Sequence, residues 1–326
     1  MYTKFMLPKV SILLLNWNNW KETEECLESL KNIKYPNFNI ILIDNGSVDD
    51  SLSRMKNFKT SNSQLEIVIL ENNENLGFGG GNNPGIHYAL KNGSDYVLLL
   101  NNDTFVDRDF LDKLVEVADH NPKIGLTTPS IFFHDACPSV AFGRRREREL
   151  LWFGGKTYIQ WRKMDKAVTI ELFKKKIPQG SLPSKIKFAT GACMLIKREV
   201  LEKVKGFYPP YFLYFEDVDL GFEIMRAGYE LVWVPSSSIW HKVSATTLPK
   251  LGSASLQYYN TRNILLLAKR CGPFWVKIYM HFWSVYTYFK QQLKIISGYN
   301  KELSLAIKQG IEDYYRGRFG KYQNFE

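Results

Sequence analysis

Apolar positions in the first third of the chain gather into short runs separated by amphipathic stretches. VSILLL (10–15) reads as a buried strand. NWKETEECLESLKNI follows, and its Trp20, Thr23, Cys26, Leu27, Leu30 and Ile33 recur at helical spacing with charges between them. FNIILID (38–44) predicts a second strand, stopped by NGSVDDS. SLSRMKNF predicts a helix and LEIVIL (65–70) a third strand. NNPGIHYALKNG predicts a helix with Pro84 near its start and Gly93 at its end. DYVLLLNND (95–103) supplies a fourth strand, and RDFLDKLVEVADH another amphipathic helix.

Strands that are apolar throughout and alternate with helices predict an α/β fold whose parallel sheet is covered on both faces. Ligands of such sheets sit beyond the carboxyl ends of the strands. The clusters DNGSVDD, NENLGFGGGNN and NND each follow a strand end, so they are expected on one rim. From about 130 to 185 the pattern weakens into the charge run GRRRERE (143–149), KTYIQWRKMDK and FKKKIPQGSLPSK. This segment reads as a solvated insertion, with a lid or acceptor-contacting segment as the alternative. Regularity returns in KFATGACMLIKREVLEKVKGF, YPPYFLYFEDVDLGF and ELVWVPSSSIWHK.

The chain then divides at about residue 250. Residues 1–250 carry the α/β pattern, and 251–326 are helical, aromatic and basic. In the latter, Trp275, Ile278, Phe282, Tyr286, Phe289, Leu293 and Ile296 follow a spacing of three or four, with Lys277, Lys290 and Lys294 interspersed. Such a helix either lies on an anionic membrane surface or packs its stripe against the rest of the fold.

Composition narrows the classes. With 326 residues, 45% hydrophobic, the chain can bury a substantial core. A net charge of +10 favours anionic ligands such as nucleotide phosphates, nucleic acid or acidic lipid. Cys26, Cys137, Cys193 and Cys271 are dispersed, with no CxxC, so neither a zinc knuckle nor a dithiol redox pair is expected. The N-terminal apolar run is short for a secretory signal, and no uninterrupted apolar stretch of about 20 residues spans a bilayer. The expectation is a cytoplasmic protein, peripheral at most to the inner face of the cell membrane.

The clusters carry chemistry by residue type. Asp44, at a strand end, can accept from a base N–H or a ribose hydroxyl, with Asp49 and Asp50 as alternatives, and "DNGS" is also ordinary turn material. NLGFGGGNN (75–83) reads as a loop whose glycines permit close approach to phosphate ahead of a helix N-terminus, or as a flexible turn. Asn101, Asn102 and Asp103 offer oxygen ligands to Mg2+ or Mn2+ and to a diphosphate. His241 joins them only if the fold brings it to Asp103. Glu216, Asp217 and Asp219 crowd directly behind the aromatic run Tyr211–Phe215, where a buried carboxylate is costly unless paired.

Taken in order, VSILLLNWNNW, IILIDNGSVDDS, NENLGFGGGNNPGIHYAL, YVLLLNNDTFV, TGACMLIKREVLEKVKGFYPPYFLYFEDVDLGF, SSSIWHK and NTRNILLLAKR resemble the inverting family 2 glycosyltransferases over about residues 9 to 270, and within them the rhamnosyltransferase-like branch. The resemblance implies a GT-A fold, a Rossmann-like, mostly parallel sheet flanked by helices, followed here by the helical C-terminal region. It implies a dTDP- or UDP-sugar donor, a glycan or lipid-linked acceptor, and Mg2+ or Mn2+. Asp44 would read the uracil or thymine ring. Asn16, Trp17, Ser47, Asn75, Gly77, Gly80, Asn82 and Asn102 would line the nucleotide. Asp103 matches the metal-binding acid, His241 a metal or diphosphate partner, and Asp217 the catalytic base. Glu216 would orient acceptor hydroxyls, and Asp219 would cap or turn the helix that follows. Three departures stand out: NND carries fewer acids than the family's metal motif, Tyr208–Pro209–Pro210 replace a charged neighbourhood, and Gly79 stands where alanine is usual.

Two other classes compete. A non-catalytic basic protein holding nucleic acid or anionic membrane fits the charge, but no RNA-binding signature is present and nucleic acid is not expected. A nucleotide-dependent oxidoreductase is disfavoured, because GxGxxG is missing after the first strand.

Overall fold

Ile12, Leu13, Leu14, Ile40, Ile41, Leu42 and Leu98 are covered on every side, as a strand sandwiched between helix layers requires. The structure is a computed structural model that describes residues 7–133, 151–153, 157–159, 168–170, 177, 180–242 and 253–322. Its elements begin β1 (Val10–Asn16), α1 (Trp20–Leu30), β2 (Phe38–Asp44), α2 (Ser51–Ser61), β3 (Ile67–Glu71), α3 (Gly77–Lys91), β4 (Tyr96–Asn101), β5 (Thr104–Val106), α4 (Phe110–His120) and β6 (Ile124–Phe133). They continue with β7 (Leu151–Phe153), β8 (Thr157–Ile159), β9 (Val168–Ile170), β10 (Ser184–Ile186), β11 (Cys193–Lys197), α5 (Arg198–Val204), α6 (Glu216–Arg226) and β12 (Glu230–His241). The helices α7 (Ala254–Cys271), α8 (Phe274–Ile296) and α9 (Lys301–Tyr315) follow. Cys137, the basic run 143–149, and most of the neighbouring basic segments lie outside the described residues.

The main sheet runs β10–β12–β6–β11–β4–β1–β2–β3. β1 pairs in parallel with β2 and β4, and β2 with β3. One expectation is corrected: the wholly parallel sheet read from periodicity is mixed, as the mostly parallel sheet of the family resemblance allows, because β11 runs antiparallel to both β4 and β6. The chain moves outward from β1 to β3, then returns across β1 to form β4. With right-handed crossovers, this reversal puts α3 on the face opposite α1 and α2 and opens a crevice between the carboxyl ends of β1 and β4.

A second correction concerns the glycine-rich segment, which is the first two turns of α3 and no loop. The physical reason is close approach. A Cβ on Gly81 would lie 2.9 Å from Asn45 Oδ1 and from Leu15, and one on Gly85 would lie 2.5 Å from Ile43. Small residues let α3 settle directly on β1 and β2. Gly77 has φ +75° and its Cβ would meet the Phe212 carbonyl oxygen at 2.1 Å.

β12 carries Pro235 inside a strand, which is tolerated because pairing with β6 shifts register between Val234 and Ser238. Past this bulge the strand turns back to pair with β5, placing His241 opposite Thr104.

The C-terminal helices join the same core through Ile264, Leu265, Leu266, Leu267 and Ala268 of α7. α8 is inside out relative to an ordinary amphipathic helix. Val276, Met280, Ser284, Thr287 and Gln291 are buried, while the aromatic stripe from Trp275 to Ile296 is exposed, with Phe282 at 68% and Phe289 at 63%. The alternative in which this stripe packs against the fold is therefore excluded. No helix among the described residues is long and apolar enough to cross a membrane.

Gly77→Ala should destabilise the fold by about 2 kcal/mol or more, from the left-handed conformation and the backbone clash together. Gly93→Ala, at φ +79° with nothing within 4 Å, should cost only the conformational part, about 1–2 kcal/mol. Urea unfolding of the two variants separates the terms.

Candidate functional site

β1 and β2 end in register, with Asn16 opposite Asp44, and Leu15 lies opposite Asn101 on the other side. The rim that results is held by a chain of side-chain hydrogen bonds. Asn102 Nδ2 donates to Thr23 Oγ1 (2.8 Å), and that hydroxyl donates to Asn16 Oδ1 (2.8 Å). Asn16 Nδ2 and the Asn18 amide both donate to Ser47 Oγ, at 3.3 and 3.0 Å. The Ser47 amide closes the chain on Asp44 Oδ2 at 3.1 Å. The other oxygen, Asp44 Oδ1, is buried with no donor. Leaving a buried carboxylate oxygen unmatched is costly. A ligand N–H delivered there gains most. Trp17, 45% exposed, stands next to this oxygen's strand end as an open aromatic surface.

Asn45 ties this rim to α3. Its Oδ1 accepts from Asn72 Nδ2 and the Leu76 amide, and its Nδ2 donates to Asn75 Oδ1 and the Gly77 carbonyl. All four of its bonding positions are used inside the protein. Asn82 is buried and donates to the Phe78 carbonyl at 2.9 Å. The structure thus gathers Asn16, Asp44, Ser47 and Asn102 into one network. It gives Asn75, Gly77 and Asn82 partners within and beside α3, and a Cβ on Gly80 would lie 3.3 Å from Leu76 and 3.9 Å from Pro209.

At the end of β4, Asp103 does meet His241: Oδ1 lies 3.0 Å from Nε2. Asn101 Nδ2 approaches the same ring nitrogen at 3.4 Å. Asn101 Oδ1 is a buried oxygen that accepts no hydrogen bond, and Asp103 Oδ1 is buried with the His241 ring as its neighbour. A carboxylate oxygen and an imidazole nitrogen 3.0 Å apart at a polar rim are donor types that a divalent cation such as Mg2+ or Mn2+ accepts. The bulge in β12 makes this meeting possible.

The acidic segment lies across the crevice. The chain enters α6 through Phe212 (φ 63°), Tyr214 (φ 68°) and Phe215 (φ 72°), all in the left-handed region. Phe212 sits in a γ-turn closed by the Leu213 amide on the Tyr211 carbonyl at 2.8 Å. Such backbone is strained by about 1–3 kcal/mol per residue and persists only when its surroundings hold it. The Phe78 amide donates to the Phe212 carbonyl at 2.8 Å. From the other side, Asn263 Nδ2 reaches the carbonyls of Tyr211, Leu213 and Tyr214 at 3.0, 2.7 and 3.0 Å. The Arg262 guanidinium, completely buried, donates to the carbonyls of Pro210, Tyr211 and Gly320.

This scaffold sets three acids in the first turn of α6, where the helix dipole favours negative charge. Their surroundings differ. Asp217 Oδ2 accepts from the Gly191 amide at 3.0 Å and Oδ1 from the Val218 amide at 2.8 Å. Burial raises its pKa to about 6 against the pull of those amides. Glu216 is 6% exposed, and its Oε2 has no donor. Burial first, and the Asp217 charge second, push its carboxyl well above the usual range. The pair therefore titrates in order, Asp217 first, near pH 6, and its charge then helps hold the proton on Glu216. Asp219 does something else again and corrects an expectation. Phe215 is the cap residue, with no side-chain cap bond, and Asp219 is a buried anchor. It accepts from Arg270 Nε (2.7 Å), Arg270 Nη2 (3.0 Å), Tyr211 Oη (3.1 Å) and Cys271 Sγ (3.2 Å). Asp219, Glu223 and Cys271 cluster as metal ligands could, but the Arg270 guanidinium already supplies the positive charge there.

Gly191 connects the two halves. Its neighbour Ala192 accepts from the Asn101 amide at 3.0 Å, so one turn holds the end of β4 and the Asp217 carboxylate together. Sequence reasoning assigned no part to Thr23, Asn45, Gly191, Arg262, Asn263 or Arg270. The stretches TGA and NTRN were visible, but their partners lie 26 and about 50 residues away.

Comparison with known proteins follows from this geometry. The family profile described as "Glycosyl transferase family 2" matches residues 11–205. The N-acetylglucosaminyl-diphospho-decaprenol L-rhamnosyltransferase of Mycobacterium tuberculosis is 24% identical over 282 residues, covering 83% of this chain and 87% of that protein. Among solved structures, the mannosyltransferase PcManGT of Pyrobaculum calidifontis in complex with GDP-Man and Mn2+ superposes with a TM-score of 0.58 at 14% identity, over 96% of this chain and 89% of that one. S. aureus TarS 1–349 in complex with UDP-GlcNAc gives 0.53 at 12% identity, over 98% and 95%. At such identities the two structures share the fold, which is the GT-A arrangement.

Because the folded protein holds the Glu216 proton more tightly than the unfolded chain does, that carboxyl stabilises fully below its ordinary range near 4.3, and the contribution is lost as pH rises toward the folded value. Glu216→Gln keeps the neutral shape and should raise Tm at pH 8 and flatten its decline with pH. The fall left between about pH 4 and 6 belongs to Asp217. Calorimetric scans of both proteins across this range are the check. An unchanged slope would place the neutral carboxyl elsewhere.

Proposed function

This chain belongs to glycosyl transferase family 2, and from that premise we propose that it is an inverting, metal-dependent hexosyltransferase. The donor is a dTDP- or UDP-activated sugar, and the acceptor is a hydroxyl of a glycan or lipid-linked saccharide. The likeness to the mycobacterial rhamnosyltransferase favours rhamnose as the sugar. The observation that carries the reading is the Asp217 carboxylate, raised to about 6 and tied by Gly191 to the strand end that bears Asn101–Asp103.

Inversion requires in-line attack by an acceptor hydroxyl, opposite the leaving nucleoside diphosphate. Asp217 accepts the hydroxyl proton as the new bond forms, and a base whose pKa lies near the working pH is suited to this. Glu216, neutral beside it, keeps the charge of the pair on Asp217 and orients acceptor hydroxyls. No covalent intermediate forms on the protein. Asp44 Oδ1 accepts the ring N–H of uracil or thymine, Trp17 covers the base, and Asn16, Ser47 and Asn102 hold the strand ends that frame the nucleotide. Asp103 and His241 would hold Mg2+ or Mn2+, whose charge would offset that of the departing diphosphate. The donor chemistry falls within residues 1–250, and residues 251–326 brace the acceptor side. The enzyme works at the cytoplasmic face of a membrane, with no nucleic acid partner.

Asp217→Asn should lower kcat by about 10²–10⁴-fold while leaving nucleotide affinity nearly unchanged. In the wild type, kcat/KM should rise with pH through about 6 and then level, as the base loses its proton. A variant that transfers sugar at the wild-type rate would remove Asp217 from the mechanism.

Asp103→Ala should weaken nucleotide-sugar binding with Mn2+ present and not after chelation. Calorimetry over a panel of dTDP- and UDP-sugars, followed by mass spectrometry of the product, measures this and identifies the donor. Equal wild-type affinity with Mn2+ and with chelator would dismiss the metal.

A further inference from the structure

We propose that the outward face of α8 is a docking surface for an anionic lipid bilayer. Val276, Met280, Ser284, Thr287 and Gln291 face the protein, while Trp275, Ile278, Phe282, Tyr286, Phe289, Leu293 and Ile296 face out. At 3.6 residues per turn, Trp275, Ile278, Phe282, Phe289, Leu293 and Ile296 fall within one sector of the helix. A helix of 23 residues is about 35 Å long, so the sector is a continuous strip along one side of the molecule. Water does not tolerate a strip of that length without a partner.

Charge selects the partner. α8 contains no Asp or Glu, and Lys277, Lys290 and Lys294 flank the apolar sector. The Lys290 ammonium lies over the Tyr286 ring, 5.9 Å from its centre, and that of Lys294 over the Tyr299 ring at 5.5 Å, so both charges sit beside the exposed aromatic surface. Glu312, the acid of α9 nearest this helix, is engaged by Lys308, Arg316 and the Tyr288 hydroxyl. Beside the strip, a recess of about 140 Å³ is lined by Lys269, Lys277, His281 and Tyr315 and by no acid, a setting for a phosphate headgroup. A second copy of this chain on the same face would set lysines against lysines. Trp275, Tyr279 and Tyr286 have the apolar body and polar tip that settle at the level of lipid headgroups. The helix therefore lies in the interface plane.

Flotation of the full chain with vesicles tests this without reference to catalysis. The protein should float with phosphatidylcholine–phosphatidylglycerol vesicles, far less with phosphatidylcholine alone, and less as salt increases. The triple variant Trp275→Ser, Phe282→Ser, Phe289→Ser, whose side chains contribute nothing to the core, should keep its circular dichroism and bind at least about tenfold more weakly. Wild-type protein that fails to float, or a variant that floats equally well, overturns the proposal. Sedimentation equilibrium showing a wild-type dimer that the triple variant dissolves would assign the strip to a second copy instead.

Discussion

Arg262 and Asn263 hold the turn on which the site depends. The segment from Pro210 to Phe215 places three non-glycine residues at positive φ. Nothing local favours that path, and the aromatic side chains oppose it. What sustains it is a planar guanidinium and a carboxamide on α7, which between them bond four consecutive-region carbonyls, with the Phe78 amide taking a fifth. A buried arginine is normally matched by an acid. Here the guanidinium spends its donors on carbonyl oxygens, on Asn263 Oδ1 and on the Tyr258 hydroxyl, which itself donates to Asp313. The C-terminal helices are therefore part of what positions Asp217, even though they contribute no atom to it.

The same turn sorts three acids that are chemically alike. Asp217 meets two amides and keeps some contact with solvent, so it remains able to ionise in the working range. Glu216 meets no donor at one oxygen and packs near Gly79, whose missing side chain leaves room for Phe207. Asp219 meets a guanidinium, a phenol and a thiol, and fixes α6 to α7. Burial and donors, not residue type, hold the Glu216 carboxyl well above its ordinary range and Asp217 near 6.

On the other side of the crevice the logic is the strand end. A family 2 glycosyltransferase of GT-A fold presents the carboxyl ends of β1, β2 and β4 at a reversal in strand order, and polar residues there can face a ligand because the ladder has ended. Asp44 keeps a buried oxygen with no donor, and the Asp103 carboxylate turns its buried oxygen to the His241 ring.

Much was legible along the chain. The strands β1 to β4 and helices α1, α2 and α4 follow from local periodicity, because each buries a face defined within a dozen residues. The order of polar clusters at strand ends pointed to the rim, and with it Asp44 and Asp103, whereas Asp217 was singled out only through the family resemblance. Other features depend on residues far apart. The glycines of α3 looked like a loop because their purpose, contact with Leu13, Leu15, Ile43 and Phe207, lies in other elements. The antiparallel insertion of β11, the partner of Asp219, and the meeting of His241 with Asp103 after a bulge at Pro235 are equally non-local. The aromatic stripe of α8 could be counted from sequence, but whether it faces core or solvent was decided by which side α9 covers. Periodicity determines that a helix has an apolar face. Only the packing of its neighbours determines where that face points, because burial is a property of the whole fold and not of the segment.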